Sequence, residues 1–329
     1  MTSENDSVPN QIKEAQKVLE TVKNEIHKVV VGQHHLIECL LIGLLADGHI
    51  LLEGVPGIAK TLAANTLAKT LKCDFKRIQF TPDLLPADLT GTPIYNNKEN
   101  VFEVKKGPIF TNILLADEIN RAPSKVQSAL LEVMQEKQVT IGGITYLSPR
   151  PFLVIATQNP IEQEGTYPLA EAQTDRFMMK VKLSYPSKED EKIILEKMGT
   201  LGPTPQANAI LDMNALMELR KLVDTIYLDD RVVEYLLNIV QATRYPTKYQ
   251  IPVEGFLEYG ASPRAALALK QASKARALLN GRYFVTPEDI KEIAPSILRH
   301  RIRLSYEGEA ENYSTDDIIR KILDHLVVP

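Results

Sequence analysis

Thiols are scarce in this chain: 329 residues contain two cysteines, Cys39 and Cys73. Both fall in apolar segments with helical spacing, which argues against a disulfide and for buried, reduced thiols. An excess of one charge is also missing. With 38 Lys and Arg against 42 Asp and Glu, the net charge of −4 gives no electrostatic case for nucleic acid or an anionic membrane. The longest apolar run, residues 36–46, is broken by Glu38 and is too short to span a bilayer. The histidines, His27, His34, His35, His49, His300 and His325, have no zinc-ligand spacing, and no Cys-x-x-Cys occurs. His34-His35 reads as helix surface. No serine or cysteine sits in a nucleophile elbow, and internal repeats and low-complexity tracts are absent. Met1 to Asp6 is acidic and polar, unlike a secretory signal. The expectation is a cytoplasmic protein with no membrane span and no nucleic-acid partner.

What is present is a globular composition, 44% hydrophobic and 24% charged, over a length that suggests about two domains. One stretch organises the rest. A short apolar run, His49 to Leu52, reads as a buried strand. Gly54-Val55-Pro56-Gly57-Ile58-Ala59-Lys60-Thr61 reads as a tight loop, and Leu62 to Leu71 as a helix. Strand, glycine-containing loop ending in Lys-Thr, then helix is the context of a phosphate-binding loop. Successive backbone N–H groups and the helix N-terminus attract phosphate. Lys60 can reach the β- and γ-phosphates, and the Thr61 hydroxyl can hold Mg²⁺. Ala59 stands where the general pattern has its second glycine. Alanine fits there if φ is negative, with Gly57 supplying the left-handed turn.

A phosphate loop needs a magnesium partner and a group that activates water. Ile113 to Ala116 reads as a buried strand ending in Asp117-Glu118, where parallel α/β sheets place their ligands. Asp117 suits Mg²⁺, and Glu118 suits orienting and deprotonating the attacking water. Asn159 follows the apolar strand Phe152 to Thr157 and can hydrogen-bond that water or a phosphate. Arg264 falls in the first turn of a helix opened by Ser262-Pro263. A cation there opposes the helix dipole, so a phosphate would explain it. Arg176 beside Asp175 is either a local ion pair worth little or a finger supplied in trans.

Elsewhere, residues 1–9 read as a disordered tail. Gln11 to Val29 and Leu36 to Leu45 read as helices, and Arg77 to Phe80 and Met178 to Leu183 as strands. Thr92 to Tyr95 with Val101 to Lys105 forms one hairpin candidate. Val139 to Ile141 with Ile144 to Tyr146, around Gly142-Gly143, forms another. Tyr95 and Phe102 flank the first hairpin tip. Packing on the core is favoured for them over gripping a polypeptide. Ser124 is expected to cap a helix. Alternating strands and helices argue a mostly parallel sheet covered on both faces. After Tyr185-Pro186 the pattern turns helical, with caps at Ser187, Thr286 and Ser314. The division is therefore an α/β domain over residues 1–185 and a helical domain over 186–329.

Four segments then carry a resemblance: Gly54 to Thr61, Leu115 to Pro123, Ala156 to Pro168 and Glu171 to Phe177. They resemble the MoxR family of AAA+ ATPases, and the likeness runs from Val31 to about Arg303. Ala59 before Lys60 is common in that family. The resemblance implies an AAA+ core with a five-stranded sheet of order 5-1-4-3-2, β-hairpin inserts and an all-helical lid. It implies ATP and Mg²⁺ as cofactors. It also implies a ring, usually hexameric, with ATP at subunit interfaces. Lys60 and Thr61 match the Walker A positions, Asp117 and Glu118 Walker B, and Asn159 sensor 1. Arg176 matches the arginine finger and Arg264 sensor 2. Val31, Gly32 and Gln33 match the adenine side, while Gly54 to Leu62 would cradle the phosphates. The implied activity is ATP hydrolysis that remodels protein partners, usually with von Willebrand A-type domains. A nucleotide-gated scaffold is disfavoured, because Glu118 and Arg176 are both present. The motor subunit of a metal chelatase is a relative of similar architecture. A nucleic-acid motor is disfavoured by the acidic balance.

Overall fold

A computed structural model describes residues 7–55, 57–160, 165–199, 202 and 205–329. Pro56 and residues 161–164 of the motifs above lie outside the described residues. Helix α1 (Ser7–Val29) buries Ile12, Ala15, Leu19, Val22 and Ile26 along one stripe. It starts earlier than the sequence suggests, because Val8 packs on the same core one turn before Ile12. Helix α2 (His34–Leu45) is buried on nearly every side.

The chain then alternates. Strand β1 (Ile50–Glu53) leads to α3 (Lys60–Thr70), β2 (Phe75–Gln79) and the short α4 (Pro86–Thr90). A hairpin of β3 (Gly91–Asn96) and β4 (Val101–Lys106) precedes β5 (Ile113–Asp117) and α5 (Ser124–Glu136). A second hairpin, β6 (Gln138–Ile141) and β7 (Ile144–Leu147), precedes β8 (Leu153–Gln158), α6 (Glu171–Thr174) and β9 (Met179–Lys182). The main sheet has the order β2-β5-β8-β1-β9, and every pairing in it is parallel. With the hairpin strands left out, this is the expected 5-1-4-3-2.

Alternate residues of each strand feed opposite faces. Ile50, Leu52, Ile113, Leu115, Leu153 and Ile155 join the core formed with α1, α2 and α3. Leu51, Leu114, Ala116, Val154 and Ala156 join a second core under α4 and α5. A strand apolar on both faces is what a doubly covered parallel sheet requires.

Both hairpins are antiparallel, and Gly142 and Gly143 both take positive φ at the second turn, as that pair suggests. Two expectations fail here. Tyr95 and Phe102 do not pack on the core. They tilt against each other at 5.1 Å between ring centroids and stay exposed, Phe102 by 74%. Ser124 is not a cap: the Pro123 carbonyl accepts from the N–H groups of Val126 and Gln127, so Ser124 is already helical.

The remainder is α7 (Lys188–Met198), α8 (Met213–Thr225), α9 (Asp230–Arg244), α10 (Pro263–Leu279), α11 (Pro287–Leu298), α12 (Tyr306–Ala310) and α13 (Thr315–His325). Ser187, Ser262 and Ser314 cap their helices, and Thr286 forms a capping box with Asp289, as expected. A two-stranded ribbon, β10 (Leu257–Tyr259) with β11 (Arg303–Leu304), interrupts the helices. The lid is therefore helical without being all-helical. Its apolar residues, Leu211 to Leu323, belong to the same hydrophobic cluster as α1, α2 and α3.

Candidate active site

The loop after β1 is shaped by its small residues. A Cβ on Gly54 would lie 2.6 Å from Ile58 Cδ1, 3.0 Å from Leu183 Cβ and 3.1 Å from the Leu183 carbonyl oxygen, so a side chain there would press on both neighbours. Ile58 is buried in that contact, whereas Val55 is half-buried. Gly57 has φ +85° with open space where a side chain would stand. Ala59 has φ +65° and stands immediately before α3. The negative φ expected there is wrong: both Gly57 and Ala59 are left-handed. A non-glycine residue in that region costs about 1–2 kcal/mol, and such strain is typical of loops that aim consecutive N–H groups at a ligand.

Lys60 Nζ donates to the Gly54 carbonyl at 2.6 Å. Burial pulls its pKa down, and the carboxylates of Asp117 and Glu118 oppose that pull. Thr61 and Leu62 face the same space. A cavity of about 400 Å³ is lined by Gly57, Ala59, Lys60, Thr61, Leu62, Asp117, Glu118 and Asn159, together with Arg77 and Gln79. The structure thus brings together five of the polar residues that the sequence singles out: Lys60, Thr61, Asp117, Glu118 and Asn159.

Neighbouring residues on a strand point to opposite faces, yet Asp117 and Glu118 share this cavity. The reason is that β5 ends at Asp117 and Glu118 turns left-handed, with φ 56° and ψ 51°. Thr157 bridges the two residues. Its hydroxyl donates to Asp117 Oδ1 at 2.6 Å and accepts from the Glu118 N–H at 2.8 Å. Arg77 donates twice to Asp117 Oδ2, at 3.0 and 2.7 Å. Gln79 Nε2 donates to Glu118 Oε2 at 2.7 Å, and Arg121 Nε lies 3.0 Å from the same oxygen.

Arg77, Gln79, Arg121 and Thr157 were not found from the sequence. The available signal was a polar residue at alternate positions of β2, which pairs with β5 so that Gln79 lies opposite Asp117. The Thr61 hydroxyl and the Asp117 carboxylate are hard oxygen donors that suit Mg²⁺ alongside nucleotide phosphates.

The adenine-side residues are placed differently. Gly32 and Gln33 both have positive φ. Gln33 Nε2 donates to the Ser184 carbonyl at 3.2 Å, and a Cβ on Gly32 would lie 2.7 Å from an Asp190 carboxylate oxygen. Val31, Gly32 and Gln33 do not line the cavity around Lys60. Their link to the phosphate loop runs through residues 183–184: Gln33 bonds Ser184, and Gly54 packs on Leu183.

Arg176 and Arg264 are not at this cavity either. They share a second one of about 280 Å³, with Leu267, Met134 and His49 in its walls. The Arg176–Asp175 ion pair considered from the sequence is replaced. Asp175 is engaged by Arg301 Nε at 2.7 Å, by the Ser262 hydroxyl at 3.1 Å and by Arg264 Nη1 at 3.6 Å. Asp175 also gives Arg264 a counter-charge at the helix start, which a phosphate was expected to supply. His49 is fully buried here. Its Nδ1 accepts from the Val154 N–H at 3.0 Å, and Nε2 faces the Met134 carbonyl at 3.2 Å. Burial drives its pKa down to about 4.

The profile of the ATPase family associated with various cellular activities matches residues 49–179, and that of the AAA lid domain matches residues 253–322. The chaperone MoxR1 of Mycobacterium tuberculosis is 48% identical over 312 residues, which cover 94% of this chain and 82% of that protein. The chain belongs to the MoxR family of AAA+ ATPases. The uncharacterized protein YeaC of Bacillus subtilis is 45% identical over 304 residues, 92% of either chain. A crystal structure of a candidate ATPase from Cytophaga hutchinsonii is 52% identical, covers 99% of both chains and superposes with a TM-score of 0.93. Within the MoxR family, the fold described above is an AAA core with a helical lid.

Proposed function

We propose that this MoxR protein is a Mg²⁺-dependent ATPase that hydrolyses ATP at the subunit interfaces of a ring, a hexamer on the family pattern, to remodel or activate protein partners. The observation that carries the reading is the convergence of Lys60, Thr61, Asp117, Glu118 and Asn159 on one cavity at the ends of β1, β5 and β8. In this reading the loop from Gly54 to Leu62 holds the phosphates, and Val31 to Gln33 borders the base. Thr61 and Asp117 hold Mg²⁺, which neutralises phosphate charge when bound. Lys60 steadies the β- and γ-phosphates. Glu118 takes the proton of the attacking water, and Asn159 orients that water or the phosphate.

The separation of Arg176 and Arg264 from this cavity, and their sharing of another, supports supplying both to the neighbouring subunit's nucleotide. A finger in trans stabilises transition-state charge by about 10³–10⁵ in rate. We place the functional division near residue 185, after the last strand of the main sheet, which gives a core over 1–185 and a lid over 186–329. No described helix is long and apolar enough to cross a membrane, and we place the protein in the cytoplasm. Proteins with von Willebrand A-type domains are the first partners to test.

Nucleotide binding and turnover test the site together. Lys60→Ala is expected to abolish tight ATP binding. Glu118→Gln is expected to keep binding while kcat falls by about 10²-fold or more. Unchanged binding in the first variant, or normal hydrolysis in the second, refutes the assignment of that residue.

A further inference from the structure

The turn after α11 carries Arg301, far along the chain from Arg176 and outside the nucleotide cavity. Its side chain is 2% exposed. A buried guanidinium is tolerated only when its donors are satisfied, and here every N–H has an acceptor. Nε binds the Asp175 carboxylate at 2.7 Å. Nη1 donates to the Ile297 and Met178 carbonyls at 2.5 and 2.9 Å. Nη2 donates to the Asp175 and Phe177 carbonyls at 3.1 and 2.6 Å.

Asp175 and Phe177 are the residues on either side of Arg176. Their carbonyls are both pinned by one side chain from the lid, and the Phe177 carbonyl also faces His300 Nε2 at 3.0 Å. The Asp175 carboxylate turns its other oxygen to Ser262, the residue that caps α10 and accepts from the Arg264 N–H. One buried ion pair therefore ties the backbone carrying Arg176 to the helix start carrying Arg264. The charges in the shared cavity follow the same logic. Its lining holds four cations, Lys137, Arg176, Arg264 and Arg301, against two carboxylates, Asp47 paired with Lys137 and Asp175 shared by Arg301 and Arg264, so positive charge is in excess. An anion is what completes such a site.

We propose that Arg301 is a positioning residue that, through Asp175, holds Arg176 and Arg264 as one unit for presentation to the neighbouring subunit's ATP. This rests on the in-trans reading of Arg176. Arg301 touches no nucleotide in this scheme. It fixes the backbone on both sides of the finger and the spacing between the two cations.

The test uses full-length protein. Arg301→Gln is expected to bind ATP within about threefold of wild type, while kcat falls by about 10²-fold or more. Mixing it with Glu118→Gln subunits is expected to restore turnover. One kind of mixed interface joins an intact Glu118 to an Arg176 that Arg301 still holds. A general loss of folding in Arg301→Gln gives no such recovery. The control mixture is Arg176→Ala with Glu118→Gln. Recovery in the control and none with Arg301→Gln overturns the proposal and leaves the in-trans finger standing. No recovery in either mixture refutes the in-trans reading, and the proposal falls with it. Wild-type kcat in Arg301→Gln alone also overturns it. Should Arg301→Gln not fold, Asp175→Asn takes its place. It keeps the shape, removes the charge that Arg301 pairs with, and is expected to behave the same way.

Discussion

His49 shows how far a single buried side chain can govern the response to acid. Folded, it gains a proton only near pH 4, because burial disfavours the cation, whereas an unfolded histidine titrates near its ordinary 6.5. The stability it contributes is whole above pH 6.5 and is lost as pH falls toward 4, by about 3 kcal/mol across the window. His300, half-buried and held well below its ordinary value, adds loss of the same sign. His49→Gln keeps a donor and an acceptor but does not titrate. Urea midpoints measured from pH 7 to 4.5 are expected to fall less steeply for this variant than for wild type. Equal slopes would show that His49 is not the group responsible.

At the same scale, Lys60, Thr61, Asp117, Glu118 and Asn159 were readable because each ends a recognisable strand or loop pattern. The sign of φ at Ala59 was not, since alanine carries no preference for it and the loop's closure imposes it. Arg77, Gln79 and Thr157 act across strand pairings that span about forty residues of sequence, and a single strand's pattern does not name its neighbour.

At the scale of elements, the second hairpin was legible from two adjacent glycines, and its turn makes a sharp prediction. Gly142 has φ +58°, and a Cβ there would come 3.0 Å from Pro93 Cγ of the first hairpin. Gly142→Val combines a left-handed β-branched residue with that crowding. It is expected to cost about 1–2 kcal/mol, seen as a lower urea midpoint, while ATP affinity is retained because the turn lies outside the nucleotide cavity. A midpoint equal to wild type would mean that the two hairpins separate without cost. What the sequence hid was exposure. Tyr95 and Phe102 have the composition of a packed strand pair, yet β3 and β4 pair only with each other and form no part of the main sheet.

For the whole molecule, the sheet order followed from the resemblance, but the seat of the lid did not. Helical periods in Leu211 to Leu323 show that those helices have an apolar face without showing what it covers. It covers α1 and α2, and with that packing Arg264 stands beside Arg176. The proposed supply of Arg176 and Arg264 in trans needs a second subunit. ATPase rate per subunit is therefore expected to rise steeply with protein concentration and then level off. A flat, nonzero rate, with a monomer in a sizing run, would contradict a shared site.

The cluster that joins α1 and α2 to the lid also has a consequence on the ribosome. These helices leave the exit tunnel with an apolar face whose cover, Leu211 to Leu323, is made later. At ordinary elongation rates, the stretch from residue 185 to residue 323, the last of that cover, takes on the order of ten seconds to make. Through that interval the nascent chain displays bare core, so a release at residue 185 yields a sticky fragment rather than a smaller working ATPase.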